Sequence, residues 1–196
     1  MNTGVRTMLD DSTGLWTGFA YSRLYRWTGG RWHPAHEYGL PDTPPVCMAR
    51  GTDGTAWFGY RDSAVLALRD GKVSRYGLAQ GLDAGVVGNV VDAGGVVLAG
   101  GDKGLFMLAG GRFRPVRLAD PQAAAGITGM LLDASGDLWL NGNLGLVRIP
   151  AARWRAFLAA PDGTIGGYDL FDALDGYPGV VQLRPGQSSL LATPDG

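Results

Sequence analysis

Short apolar runs, three to six residues long, alternate with clusters of Gly, Asp and Ser along most of the chain. The runs fall into groups of four. The first run of each group is Val5-Arg6-Thr7-Met8-Leu9, Val46-Cys47-Met48, Val86 to Val91, or Ile127 to Leu132. A turn follows, at Asp11-Ser12-Thr13-Gly14, Asp53-Gly54, Gly94-Gly95 or Ser135-Gly136. Such residues supply positive φ and local side-chain bonds to the backbone, which favours tight hairpins. The second run carries Trp16, Trp57, Leu98 or Trp139 and ends at Gly18, Gly59, Gly100 or Gly142. The third is Leu24 to Trp27, Val65 to Leu68, Leu105 to Leu108, or Leu146 to Ile149. A further turn (Gly29-Gly30, Asp70-Gly71, Gly110-Gly111) leads to a fourth run at Trp32, Val73 and Phe113.

The groups are in register. Trp16 and Trp57 stand 41 residues apart, Trp57 and Trp139 stand 82 apart, and Leu98 occupies the intermediate position. Runs this short and this punctuated do not make helices, since each interior glycine would weaken one by about 1 kcal/mol. Four short strands every ~40–45 residues is the unit of a β-propeller blade. A β-sandwich would not need the fixed period. The expected fold is all-β: four blades at about 5–45, 46–85, 86–126 and 127–187, with a further first strand beginning at 188–196. Within each blade the Trp or Leu of the second strand should pack between neighbouring blades. After Ile149 the fourth unit is longer than the others. Pro150 to Phe157 reads as a helical turn with Pro at its start, Asp169 to Gly179 as a loop, and Ser188 to Thr193 as a fifth inner strand. Four units plus one unmatched strand allow a small four-bladed ring but favour an open segment of a larger propeller, whose end faces would tend to associate.

Composition agrees. Apolar residues make up 45%, a globular share. The 33 glycines in 196 residues stand well above the usual ~7% and sit in turns without a three-residue period. Net charge is −1, with no long charged run, which leaves no electrostatic footprint for nucleic acid or an anionic membrane. No apolar stretch approaches the ~20 residues of a membrane span. The single cysteine cannot form an internal disulfide. Residues 1–11 hold no signal-type apolar segment, so the chain is either cytoplasmic or carries its signal outside this segment.

The repeat resembles the regulator-propeller repeats found in the extracytoplasmic region of some bacterial two-component sensor kinases. Its best copy is Leu132-Asp133-Ala134-Ser135-Gly136-Asp137-Leu138-Trp139-Leu140 followed by Gly145-Leu146-Val147-Arg148. The first unit matches through Asp10, Gly14, Leu15 and Trp16. Tyr38-Gly39-Leu40-Pro41 fits the family's inter-blade segment, Gln80-Gly81-Leu82-Asp83 fits it in part, and Phe171 to Gly179 resembles its last inter-blade loop. The resemblance implies a periplasmic, membrane-anchored receptor whose propeller senses a ligand, a carbohydrate fragment in several relatives. An immunoglobulin-like domain, a membrane helix and a histidine kinase or other output module would follow.

Candidate chemistry is sparse. His33 and His36, three residues apart on a strand, would point to opposite faces, and no carboxylate or cysteine cluster completes a metal site. Cys47, among apolar neighbours, reads as a small buried hydrophobe. Asp11, Asp53, Asp133 and Asp137 are explained by turns. The Gly-Gly pairs lack the Lys-Ser/Thr of a phosphate-binding loop. No catalytic residue, metal or cofactor is indicated. In a propeller meander, the loops between second and third strands share one face with the connections between blades. Here that face carries Tyr21, Tyr60, Arg61, Asp102, Lys103, Asn141 and Asn143, which suit a small polar ligand such as a carbohydrate. The expectation is a non-catalytic sensor module. The alternatives are a propeller lyase or hydrolase, which would need a charged cluster at the channel, and a protein-interaction scaffold.

Overall fold

In the computed structural model, residues 4–20, 22–177 and 188–193 are described. The first blade is β1 (Val5–Asp10), β2 (Leu15–Phe19), β3 (Leu24–Thr28) and β4 (Arg31–Pro34). The second is β5 (Cys47–Arg50), β6 (Ala56–Gly59), β7 (Val65–Arg69) and β8 (Lys72–Tyr76). The third is β9 (Val87–Asp92), β10 (Val97–Gly101), β11 (Gly104–Ala109) and β12 (Arg112–Leu118). The fourth opens with β13 (Gly129–Leu132), β14 (Leu138–Gly142) and β15 (Gly145–Ile149). It then departs through α1 (Ala151–Ala159) and β16 (Thr164–Ile165) before closing with β17 (Asp169–Phe171). Each blade is an antiparallel meander with its first strand at one edge. The four first strands neighbour one another in chain order. Among the described residues no comparable contact joins β1 to β13, so the blades form an open arc.

The fourth blade differs from the sequence reading in two places. Asp169–Phe171, expected as loop, is its outermost strand, pairing Arg148 with Asp169 and Leu146 with Phe171. The pairing follows from the insertion of α1 and β16 into what is elsewhere a two-residue hairpin: the chain leaves the sheet and returns to the same edge. Ser188–Thr193, expected as a fifth inner strand, forms no strand. Instead Ser189 N–H donates to the Thr128 carbonyl at 3.1 Å.

Strand alternation gives every blade two apolar faces, and packing blade on blade buries three seams. Trp16, Leu24 and Leu40 of the first blade meet Phe58, Leu66 and Leu68 of the second. Trp57, Val65 and Ala67 meet Val87, Val90 and Phe106. Leu98, Leu105 and Met107 meet Met130, Leu138 and Val147, and here Trp154 and Phe157 of α1 add a cap. At the 41-residue period, Trp16, Trp57 and Leu98 thus face the next blade, and Leu98, at 0% exposure, fills its seam without a Trp. Each large side chain so buried contributes about 1.5–3 kcal/mol. Close approach needs a small residue beside it: a Cβ on Gly100 would lie 2.5 Å from Ile127 Cγ2. Register places Asn141, not Gly142, at the position of Gly18, Gly59 and Gly100, because the four face the equivalent residues Leu146, Leu24, Val65 and Leu105 of the third strands.

Polar side chains lock the turns. Trp16 Nε1 donates to Asp11 Oδ2 at 2.8 Å, and Arg26 donates to the same carboxylate at 2.7 Å while its guanidinium lies 5.3 Å from the Trp16 ring centroid. Trp139, Asp133 and Arg148 repeat the indole bond at 2.8 Å and the cation over the ring at 5.8 Å, with Arg148 turned to Asp137. The carboxylate serving Trp16 is Asp11, not the Asp10 that aligns by sequence, because the first turn of the fourth blade is one residue longer. Asp137 also accepts from Ala151 N–H at 2.7 Å and so caps α1.

Burial alone would raise the Asp11 pKa, but hydrogen bonds from Thr13, Arg26 and Trp16 outweigh it and hold the carboxyl below its ordinary 3.8. A depressed folded-state pKa gives stability that is full above the unfolded value and is lost as pH falls through the folded one. Asp11→Ala is therefore expected to cost about 1–3 kcal/mol at pH 7. In urea denaturation series, the gap to the parent should close as pH drops below 3.8; a gap independent of pH would show that the carboxylate is not the stabilising form.

Candidate functional site

The loops between second and third strands and the inter-blade connections do share one face. Their backbones are bonded together: Leu24 N–H to the Asp42 carbonyl, Ser63 N–H to Gly85, Lys103 N–H to Ala84, and Asn143 N–H to Ala125. The face is stitched blade by blade, and the residues expected to recognise a ligand divide among those stitches.

Asp102 and Lys103 serve the third blade's latch. Asp102 Oδ2 accepts from Val86 N–H at 3.1 Å, and Lys103 Nζ pairs with Asp83 at 2.6 Å. Asn141 is buried at 5% exposure; its amide donates to Ser189 Oγ at 3.1 Å and its carbonyl accepts from Tyr177 at 3.2 Å. Its side chain thus joins the C-terminal segment to the fourth blade. Asn143 is exposed beside it. Tyr21 lies outside the described residues. The seven do not converge on one point.

Tyr60 and Arg61 do meet in one place. They line a cleft of about 490 Å³ between the first two blades, with Arg6, Ser22, Asp62 and Arg75. Tyr60 is 6% exposed, and its hydroxyl has no hydrogen-bond partner among the described residues. Burial, and after it the Asp62 carboxylate, push the phenol well above its ordinary pKa, so it remains a protonated donor. Arg75 pairs with Asp62 at 2.9 Å. Arg61 is exposed and makes no ion pair among the described residues. Arg6, Arg61 and Arg75 thus line the cleft together with the Asp62 carboxylate. Sequence reading missed Arg6 and Arg75, because they lie on strands rather than loops and reach the cleft only through the blade packing.

The remaining chemistry is structural. His33 Nδ1 lies 2.8 Å from Glu37, and His36 Nδ1 lies 3.0 Å from Asp42, so the two rings serve different partners. Among the described residues no three His, Cys, Asp or Glu side chains gather as a metal site. Cys47 is buried, its Sγ 3.6 Å from the Val87 carbonyl, and burial pushes its thiol up to about 12, which removes the thiolate a nucleophile requires. Among the described residues no helix is long and apolar enough to cross a membrane.

Asp102→Ala is expected to lower unfolding free energy by about 1 kcal/mol, since it strips the acceptor from Val86 N–H. Urea denaturation should read this, and a change indistinguishable from zero would remove Asp102 from the latch.

No family model and no curated protein matches the sequence. Among solved structures, the extracellular domain of a hybrid two-component system from B. thetaiotaomicron is similar at 17% identity and a TM-score of 0.56, over 76% of this chain and 20% of that one. Virginiamycin B lyase from Staphylococcus aureus is similar at 14% identity and 0.57, over 86% and 55%. The WD40 β-propeller domain of Doa1 is similar at 10% and 0.57, over 85% and 53%. The chain therefore spans a fifth of the first and little more than half of the other two. Their shared property is the β-propeller fold.

Proposed function

We propose that this chain is a non-catalytic, ligand-binding propeller segment from the extracytoplasmic, periplasmic region of a two-component signalling receptor of the regulator-propeller kind. The ligand is a small polar molecule such as a carbohydrate, held in the cleft between the first and second blades. The carrying observation is the pairing there of an uncommitted Arg61 guanidinium with a buried, unpartnered Tyr60 hydroxyl. A buried donor without a partner is costly, and a ligand oxygen would relieve that cost. The repeat signature around Asp133, Trp139 and Arg148, and the fold likeness to a two-component extracellular domain, support the receptor reading.

The cleft straddles a blade seam. A ligand held in it against Arg61 of the second blade would favour one relative setting of the two sheets. Differential affinity of that kind can bias a dimeric receptor between output states.

Calorimetric titration of the purified chain with neutral and acidic oligosaccharides tests the site. Binding is expected to weaken about tenfold or more in Arg61→Ala, the loss of one charge-assisted hydrogen bond, and to be unchanged in Asp102→Ala. Equal binding by Arg61→Ala and the parent would move the site elsewhere. Failure of every oligosaccharide to bind would overturn the ligand class.

A further inference from the structure

On the opposite side of the blades, the repeat itself marks a second site. In the first and fourth blades a three-residue arrangement recurs. The indole N–H of the second-strand Trp donates to the carboxylate just beyond the first strand, Asp11 or Asp133, at 2.8 Å in both cases. An arginine, Arg26 or Arg148, pairs directly across from the Trp and lies over its ring. The third blade replaces all three residues with apolar ones: Ala93, Leu98 and Met107. The second blade replaces only two. Gly51 stands in the carboxylate position and Ala67 in the arginine position, but Trp57 remains.

What remains is a donor without an acceptor. Trp57 is 5% exposed, and its Nε1 is buried with no partner among the described residues. Asp53, in the adjoining turn, is committed elsewhere, accepting from Thr55 N–H at 3.0 Å and pairing with Arg69. Trp57 and Ala67 line a cleft of about 490 Å³, with Asp53, Thr55, Lys72 and Ser74 around them. Lys72 makes no ion pair among the described residues. A Cβ on Gly51 would lie 3.0 Å from Trp57 Nε1 and 2.9 Å from Asp53 Oδ1, so the place of the missing carboxylate adjoins both the indole and the exposed Asp53 side chain.

We propose that the cleft between the second and third blades binds a small carboxylate-bearing molecule. Its carboxylate accepts from Trp57 Nε1–H in the place that Asp11 and Asp133 occupy in their own blades, and Lys72 supplies the counter-charge. The exposed Asp53–Arg69 pair beside the indole moves aside to admit it. This site is separate from the loop-face cleft and does not depend on it.

The test is an acetate titration of the ¹⁵N-labelled chain, read at the indole N–H signal of Trp57, with Trp57→Phe to assign that signal and acetamide as the uncharged isostere. Acetate is expected to shift the Trp57 signal saturably and to bind at least about tenfold more tightly than acetamide, because charge-assisted bonds are roughly twice as strong as neutral ones. Lys72→Ala should weaken acetate binding. Gly51→Asp should abolish it by supplying the carboxylate from the chain itself. If Gly51→Asp fails to fold, Ala67→Arg fills the same cleft and should block acetate likewise. An unmoved Trp57 signal, an equal response to acetate and acetamide, or undiminished acetate binding in the blocking variant would overturn the proposal.

Discussion

A four-stranded sheet of about forty residues has two apolar faces and can bury neither from within. Everything else in this molecule answers that constraint. In the first three blades the residue at the centre of the second strand projects into the following blade, and a glycine two positions later lets the next inner strand come close enough to meet it. Where the projecting residue is Trp16 or Trp57 the seam gathers aromatic partners: Phe58 and Tyr38 meet Trp16 edge-on at 5.2 Å, and Tyr76 lies 6.0 Å from Trp57. Where it is Leu98, sulfur and aliphatic side chains close the gap.

The outermost faces carry the same constraint without an internal answer. On the first blade, Phe19, Tyr25, Trp27 and Trp32 form a chain of edge-on ring contacts facing away from the second blade, with Trp27 and Trp32 at 40% and 45% exposure. On the fourth blade, Trp139 stacks on Phe171 at 6.2 Å. Beside it, the place taken elsewhere by a glycine holds Asn141, bonded to Tyr177 and Ser189. One end is therefore aromatic and bare, and the other is partly finished with polar bonds.

The period of the apolar runs and the turn chemistry between them were enough to read the blades, because both are local signals repeated in register. The parts that escaped depend on distance in sequence. Asp169–Phe171 is too short and too far from β15 to be read as its hairpin partner, since α1 and β16 intervene. The switch from Asp10 to Asp11 follows from one residue in the length of a turn. Of the residues read as candidates for recognition, Tyr60 and Arg61 share a cleft, while Asp102 and Lys103 are spent on bonds to Val86 and Asp83 that no local pattern announces. The orphaned Trp57 indole becomes visible only when the blades are compared position by position.

The excursion through α1 and β16 has a consequence of another kind. β16 lies parallel to β12, pairing Arg117 with Thr164 and Leu118 with Ile165, so a segment that belongs by chain order to the fourth blade completes the edge of the third. Trp154 and Phe157 reinforce the join from the helix. Among the described residues the first and second blades meet through side-chain packing and loop bonds, whereas the third and fourth are buttoned by shared main-chain hydrogen bonds. In a linear array whose stability is a sum of units and nearest-neighbour couplings, such a strap concentrates cooperativity at one end. The last two blades form a single foldon, and the first two are the part of the arc that can open first.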